Sequence, residues 1–231
     1  RAVLSAFLIL MMVNLLGTAS RGGLLTLVIA GSVFWFFSRI RHKLAIAVSV
    51  VVLFLVIFIT FSLVSPNAPT ERYTGETGGG SISYRIGWMK MAFAMIEDHP
   101  IIGVGTGNFV TRYNRYLTDT PEVPRSPYWT HNSYLQLWAE NGIFALLGFL
   151  VLLWFCVWRM YVVVSGTTDE ILRAIALLLL SVVAGYSFFA GSSNIIENEN
   201  YWMVFAYTII VYNLYKQEIE MRGKTRYDCE Q

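Results

Sequence analysis

The stretch LAIAVSVVVLFLVIFITFSLV occupies residues 44–64 and contains 21 consecutive residues without a charge. As a helix it spans about 30 Å, which is the thickness of the hydrocarbon core of a bilayer. Further apolar runs lie on both sides of it, so the pattern is not that of one buried helix in a large soluble protein. The sequence therefore predicts an all-α integral membrane protein.

The composition of the whole chain supports the same class. Of its 231 residues, 55% are hydrophobic and only 14% are charged, whereas soluble domains carry about 25% charged residues. The net charge of +2 carries little information about partners. Because no basic stripe with interleaved aromatic residues occurs in the sequence, we expect no nucleic-acid partner. The lipid bilayer is the first partner that the sequence predicts.

Outward from residues 44–64, the apolar runs predict about six transmembrane helices. The predicted spans are Ala2–Gly17, Leu24–Phe37, Leu44–Val64, Ile143–Val164, Ile171–Ala190 and Tyr201–Tyr215. The chain then divides into residues 1–64 with the first three helices, a polar loop at 65–142, residues 143–215 with the last three helices, and a charged tail at 216–231. Because the chain enters an apolar run directly at Arg1, we expect it to be the C-terminal portion of a longer membrane protein, although a trimmed chain would look the same.

The Lys and Arg residues of the short segments predict the orientation of these spans. If the basic cluster at residues 39–43 is cytoplasmic, ten Lys and Arg residues of the short segments lie on that side and only Arg21 on the other. The loop at 65–142 then lies outside the cytoplasm, and the tail at 216–231 lies inside.

The long loop begins with a linker and a helix. Residues 65–80 are rich in Pro, Gly, Thr and Glu, which is typical of a mobile linker. From Ser81, apolar residues at helical spacing predict a helix that ends before Pro100. Its apolar face consists of Ile82, Ile86, Met89, Phe93 and Ile96. Arg85 lies in the first turns of this helix, where the helix dipole does not favour a cation. This position indicates that Arg85 has a role other than stabilising the helix.

Alternate glycines follow at positions 103, 105 and 107, in the sequence GVGTGNF. A dinucleotide fingerprint requires a preceding strand and a βαβ unit, and neither is present. We favour a tight turn that lets the backbone pass close to a helix or ligand over direct contact of the glycines with phosphate. Asn108 is placed to cap a short helix through Leu117.

The last polar run of the loop is THNSYLQLWAENG, at residues 130–142. It predicts a helix that starts near Thr130–Ser133 and ends at Asn141–Gly142, a common C-terminal stop. Glu140 lies in the last turn, where a carboxylate opposes the helix dipole. This position predicts either a cationic partner for Glu140 or a role in a site.

Four motifs in this order resemble the O-antigen ligase and polymerase superfamily. They are SRGG at Ser20–Gly23, SYRIGWMKMA at Ser83–Ala92, HPIIGVGTGNF at His99–Phe109 and HNSYLQLWAENG at His131–Gly142. Each motif alone is weak, but the four together are specific, and the resemblance covers the chain from about Thr18 to Phe149. It implies a GT-C-like glycosyltransferase of the bacterial inner (cytoplasmic) membrane, multi-pass, with its catalytic loop facing the periplasm.

The resemblance also implies the reaction. Such proteins move a glycan from an undecaprenyl-diphosphate carrier to an acceptor, and we expect an O-antigen ligase-like enzyme with the lipid A core as acceptor. The alternatives in the same superfamily are an O-antigen or exopolysaccharide polymerase and a protein O-oligosaccharyltransferase. The alternative from another class is a transporter or a structural membrane protein. Transporters usually place polar groups near the bilayer midplane, whereas here these groups gather in one loop.

The resemblance assigns roles to particular residues. Arg21 and Arg85 match arginines that bind the donor diphosphate, whose departing negative charge an arginine can meet with two parallel hydrogen bonds. His131 matches the catalytic histidine of the family, which accepts the proton of the acceptor hydroxyl. Glu140 is expected to orient or polarise the site. The expected substrate-binding residues are Arg21, Arg85, Asn132, Gly105 and Asn108.

Each of these assignments has an ordinary structural alternative. Without its motif, Arg21 is typical of an interfacial arginine and His131 of a helix-start or packing residue. His99 precedes Pro100 at a helix end, and we expect it to be structural. No zinc-ligand spacing and no paired-aspartate motif occur in the sequence. We therefore expect a metal-independent reaction without a cofactor, and inversion at the anomeric carbon, as implied by the α-linked donor of the family.

Overall fold

The computed structural model describes residues 20–39, 79–116 and 129–229, together with a few isolated positions before residue 60. Six helices occur in this part of the chain: α1 (Arg21–Phe37), α2 (Gly79–Asp98), α3 (Phe109–Tyr116), α4 (Ser133–Gly166), α5 (Glu170–Ala190) and α6 (Glu199–Cys229). These residues contain no strand, so the predicted all-α class is confirmed for them.

Two helices, α4 and α5, are long and apolar enough to cross a bilayer. The apolar part of α1, Gly22–Phe37, is shorter. Most of the predicted spans Ala2–Gly17 and Leu44–Val64, and most of the linker at 65–80, lie outside the described residues. The predicted last span, Tyr201–Tyr215, forms the first half of α6, which continues through charged residues. The count of six spans therefore stays a prediction.

Helix α5 lies at the centre of the bundle and packs against α1, α4 and α6. Small residues allow α1 to approach it closely, because a Cβ added to Gly185 would lie 3.1 Å from Ala30 Cβ and 3.2 Å from Thr26 Cγ2. Close packing of small residues is a main source of helix association where apolar lipid replaces water. Asp169 caps the start of α5 by accepting hydrogen bonds from Ile171 N and Leu172 N.

The turn between α4 and α5 is tied to α6 by one carboxylate. Glu218 accepts hydrogen bonds from the Thr167 hydroxyl at 2.5 Å and from Thr168 N at 3.1 Å, and it pairs with Arg222. Burial raises the pKa of this carboxyl, but the hydrogen bonds from Thr167, Thr168 and Arg222 outweigh burial and lower the pKa to about 2. Glu218 is therefore ionised at any physiological pH and fixes this end of the bundle.

Helices α2 and α3 form a small layer against the first part of α4. Their shared core contains Met91, Ala92, Met95, Ile96, Val104, Phe109, Tyr113 and Ala139. The predicted apolar face of α2 is right only in part, because Ile96 is buried in this core whereas Ile86 and Phe93 are each 47% exposed. Apolar residues occur on both sides of this helix. The side that carries Ala92 and Met95 packs against α3 and α4, and hydrophobic spacing alone does not distinguish the two sides.

The helix that begins at Ser133 breaks at Gly142, as the sequence predicts, and a second helical segment follows at once. Gly142 has φ 81° and ψ 178°, outside the helical region. The carbonyls of Ala139 and Glu140, at the end of the first segment, accept hydrogen bonds from Val104 N and Gly105 N, both at 2.8 Å. In return Ile143 N donates to Pro100 O at 3.1 Å. The glycine loop at residues 103–107 therefore satisfies the backbone groups that the break exposes.

Glycine is required on both sides of this exchange. A Cβ on Gly142 would lie 1.9 Å from Ile101 O, and a Cβ on Gly103 would lie 2.3 Å from the carbonyl carbon of Glu140. Both residues also have positive φ, at 81° and 69°. The interpretation of the loop glycines as a close passage of the backbone beside a helix is confirmed at Gly103.

We predict that Gly142→Ala destabilises the protein strongly. A backbone with positive φ and extended ψ is essentially confined to glycine and costs about 1–3 kcal/mol for a residue with a Cβ, and the overlap with Ile101 adds to this cost. The midpoint of thermal unfolding in detergent should fall by several degrees. Gly148→Ala is the matched control, because no atom of the described residues lies within 4 Å of its added Cβ, and it should leave the midpoint equal or higher. Equal midpoints for the two variants would contradict the described break.

Candidate active site

Three of the four motif segments meet at the end of the bundle where α5 terminates, around the turn at residues 191–198. A Cβ added to Gly22, in the first turn of α1, would lie 3.0 Å from Ser192 Oγ and 3.3 Å from Phe189. Arg85 Nη1 donates to Ser192 O at 3.5 Å. The start of α1 and the second turn of α2 therefore approach the same residue.

Arg21 is the first residue of α1. Ser20 caps this helix by accepting a hydrogen bond from Gly23 N at 3.1 Å. The side chain of Arg21 lies outside the described part of the chain. Its backbone position, next to Gly22, is beside the turn that Arg85 contacts.

Arg85 lies in the second turn of α2, with an exposed side chain. A guanidinium carries five N–H donors, and Ser192 O is the hydrogen-bond acceptor that the described residues offer it. Its positive charge lowers the pKa of the neighbouring His131 imidazole. Arg85 is therefore a solvent-accessible cation with most of its donors available to a ligand.

His131 is half-buried and has a left-handed backbone, with φ 52°. Its ring lies 5.3 Å from the ring of Trp88, centroid to centroid. Burial lowers the pKa of His131 below its ordinary value of 6.5, and the positive charge of Arg85 lowers it further. The imidazole is therefore neutral at pH 7 and able to accept a proton.

The two residues after His131 fix the start of α4. Asn132 Oδ1 accepts hydrogen bonds from Tyr134 N and Leu135 N, both at 3.1 Å, which confirms the predicted helix start. Ser133 is fully buried, and its hydroxyl donates to Ser193 O at 2.8 Å and accepts from Ile195 N at 2.9 Å. Ser133 thus joins the residues beside His131 to the turn that holds Ser192.

Glu140 is 5% exposed and forms no ion pair with a described cation. Its Oε2 accepts from Gly107 N at 3.1 Å, and its Oε1 accepts from Phe109 N at 3.0 Å. The sequence predicted either a cationic partner for Glu140 or a role in the site. The described contacts give this carboxylate a different kind of partner, the backbone amides at the start of α3. A carboxylate is favourable at this position because the helix dipole is positive there.

The other two predicted binding residues also have partners within the protein. Gly105 N donates to Glu140 O at 2.8 Å. Asn108 Nδ2 donates to Val104 O at 3.2 Å, and Asn108 Oδ1 accepts from the Thr111 hydroxyl at 3.3 Å. The predicted cap of α3 is therefore supplied by Glu140 from another helix, while the Asn108 side chain closes the glycine loop.

The sequence did not single out the turn at 191–198 or Trp88. The run GSSNIIENEN at residues 191–200 is polar and lies between two apolar runs. By the parity of the predicted spans it belongs on the same side as the long loop, which is the signal that could have identified it. Its contacts with Gly22, Arg85 and Ser133 are long-range, and local patterns do not report them.

Comparison with known proteins identifies the family. A family model described as O-antigen ligase matches residues 6–150, more than half of the chain and all four motifs. The O-antigen ligase of Salmonella typhimurium (strain LT2) is 31% identical over 153 residues, covering 63% of this chain and 37% of the relative. The chain thus spans well under half the length of that relative. No solved structure matches. By the family match, the chain belongs to the O-antigen ligase family.

Proposed function

We propose that this chain carries the catalytic site of a membrane glycosyltransferase that moves a glycan from an undecaprenyl-diphosphate carrier to the lipid A core. The observation that supports this most is the placement of an exposed arginine, Arg85, beside a neutral histidine, His131. The start of α1, with Arg21, packs against the same turn. A cationic group for a diphosphate and a base for a hydroxyl are the two requirements of this reaction.

In the proposed reaction, Arg85 and Arg21 bind the donor diphosphate. The bond between the anomeric carbon and the diphosphate oxygen breaks, and the leaving group takes the electron pair. Arginine stabilises this growing charge because its planar group donates two parallel hydrogen bonds to phosphate oxygens. Arg85 fits the role because its side chain is exposed and, among the described residues, its hydrogen-bond acceptor is Ser192 O.

The oxygen of the acceptor hydroxyl forms the new bond to the anomeric carbon. It attacks from the face opposite the departing diphosphate, so the configuration at this carbon inverts. His131 takes the proton of that hydroxyl. Its lowered pKa keeps the imidazole neutral at pH 7, which is the state that a general base requires. No metal or cofactor enters the proposed reaction.

The remaining predicted residues are proposed to support this pair. Glu140 orients the site by holding the amides of Gly107 and Phe109. Asn132 Oδ1 is engaged in the helix cap, so its amide nitrogen is the atom available to a substrate hydroxyl. Gly105 and Asn108 shape the loop, since their own polar groups have partners within the protein.

Family membership and the apolar helices indicate a membrane protein. We propose a multi-pass protein of the inner membrane with residues 65–142 in the periplasm. Helix α5 supports this arrangement: its 21 residues span about 30 Å. Arg85 lies near its C-terminal end, and Glu218 binds the turn at its N-terminal end. A membrane crossed by α5 would therefore separate these two groups.

The acceptor distinguishes the proposed ligase from its relatives. Deletion of the gene, followed by gel separation of surface glycans, tests the choice. Lipid A core without attached O-antigen supports the ligase. Loss of long chains alone would indicate a polymerase, and loss of glycoprotein would indicate a protein O-oligosaccharyltransferase.

We predict that Arg85→Ala abolishes transfer in the complete protein while the protein still inserts and accumulates. Arg85→Lys should rescue poorly, because an ammonium cannot make the planar two-point contact. Arg115→Ala removes an exposed arginine from α3 and is the matched control, which should retain activity. Transfer is measured with purified protein in detergent at equal amounts. Full activity of Arg85→Ala would reject the role of Arg85 in donor binding.

We predict that His131→Ala and His131→Asn both lower transfer by about 10²–10⁴-fold, with accumulation of carrier-linked donor. Asn tolerates the left-handed backbone at φ 52°, so its loss of activity cannot be attributed to strain at this residue. Glu140→Gln should fall between these variants and the unchanged protein. Transfer by the unchanged protein should decline only below pH 6.5, because the pKa of His131 is lowered.

The control for His131 is His99→Ala, whose loss of transfer should follow the amount of protein. His99 lies at the end of α2, where its backbone carbonyl accepts from Gly103 N at 3.0 Å. Near-normal turnover of His131→Asn across neutral pH would remove the base from the proposal and leave catalysis to the arginines.

We predict that reporter fusions at Gly79 and after residue 231 report opposite sides of the membrane. The reason is the distribution of ten Lys and Arg residues against one in the short segments. The measurement uses a pair of reporters that are active only in the periplasm or only in the cytoplasm. The same side for both fusions would refute the proposed orientation.

A further inference from the structure

Two cations lie against one aromatic ring between α4 and α6, toward the end of the bundle opposite the proposed active site. The guanidinium carbon of Arg159, in α4, lies 5.0 Å from the centre of the Tyr212 ring in α6. Lys216 Nζ lies 5.2 Å from the centre of the same ring. From this geometry we propose that Arg159, Tyr212 and Lys216 form a binding site for the phosphate of an anionic phospholipid. This site is separate from the proposed active site and does not depend on the proposed function.

The first argument is uncompensated charge. Two like charges that share one ring repel each other, and a ring attracts each cation by only about 0.5–2 kcal/mol. Among the described residues, neither Arg159 nor Lys216 has a carboxylate within ion-pair distance, since the ion pair found there joins Arg222 to Glu218. An anion between the two cations would relieve this repulsion and gain charge-assisted hydrogen bonds.

The second argument is the direction of the side chains. The guanidinium carbon of Arg159 lies 5.8 Å from the centre of the Phe155 ring, one turn back along α4. Lys216 likewise reaches back one turn along α6 to Tyr212. Both cations are therefore held beside the apolar parts of α4 and α6, where an unpaired charge is costly.

The third argument is access from the bilayer. Lys216 is exposed, and Arg159 and Tyr212 are half-buried. On the same helix as Arg159, the rings of Trp154 and Trp158 stack at 6.2 Å and are 64% and 51% exposed. Exposed Trp residues are typical of the interface between membrane and water. Lipid phosphate is the abundant anion at this interface, and basic groups between membrane helices bind such headgroups.

The test measures stabilisation by lipid. The complete protein in a neutral detergent is titrated with dioleoyl phosphatidylglycerol, dioleoyl phosphatidylcholine or soluble glycerol 3-phosphate, and the midpoint of thermal unfolding is followed. Phosphatidylglycerol should raise the midpoint, and the other two compounds should not. Each basic residue near a membrane surface contributes roughly fivefold in affinity. Lys216→Gln should therefore raise the half-saturating lipid concentration about fivefold, and Arg159→Gln with Lys216→Gln should raise it about thirtyfold.

Lys224→Gln is the matched control, because Lys224 is exposed on the same helix without a described ring contact. It should leave the half-saturating concentration unchanged. Equal stabilisation by phosphatidylcholine, equal stabilisation by glycerol 3-phosphate, or an unchanged titration in Lys216→Gln would each overturn the proposal. Lys216 is exposed, so its substitution alone should not prevent folding. The single variant therefore tests the proposal even if the double variant does not fold.

Discussion

The exchange of backbone hydrogen bonds between residues 100–105 and residues 139–143 is the constraint on which the layer of α2, α3 and the first part of α4 depends. A break in a helix leaves carbonyls without partners, and the glycine loop supplies amides to two of them. The exchange exists only because Gly103 and Gly142 let two backbones come closer than any side chain allows. Glu140 then uses its carboxylate to hold the start of α3. Two distant motifs thus behave as one rigid unit.

Ser133 is one of the residues that connect this unit to the bundle. The Ser133 hydroxyl bonds both to Ser193 O and to Ile195 N, and it is fully buried. The turn that it holds also contacts Gly22 and Arg85. The position of the proposed cation relative to the proposed base is therefore set by packing and backbone contacts. Such preorganisation is what makes electrostatic catalysis effective, because the protein does not rearrange as charge develops.

Local signals in the sequence were sufficient for the helices of the loop. Pro100 and the Asn141–Gly142 pair mark stops that the structure contains, and Asn132 caps the helix as expected. Other features depend on contacts between distant residues, which no local pattern encodes. This group includes the left-handed backbone of His131, the hydrogen bond from Arg85 to Ser192 O and the backbone partners of Glu140. The apolar face of α2 was misassigned because its buried side is chosen by its neighbours.

The central claim is that Arg85 lies close enough to His131 to act on it, and the ionisation of His131 tests this directly. The chain has three histidines, so their NMR signals in isotope-labelled protein can be assigned by substitution of each residue in turn. We predict a pKa of His131 below 6.5 in the unchanged protein, and a higher pKa in Arg85→Gln, because removal of the positive charge favours the imidazolium. A pKa of His131 that is the same in both proteins would contradict the account.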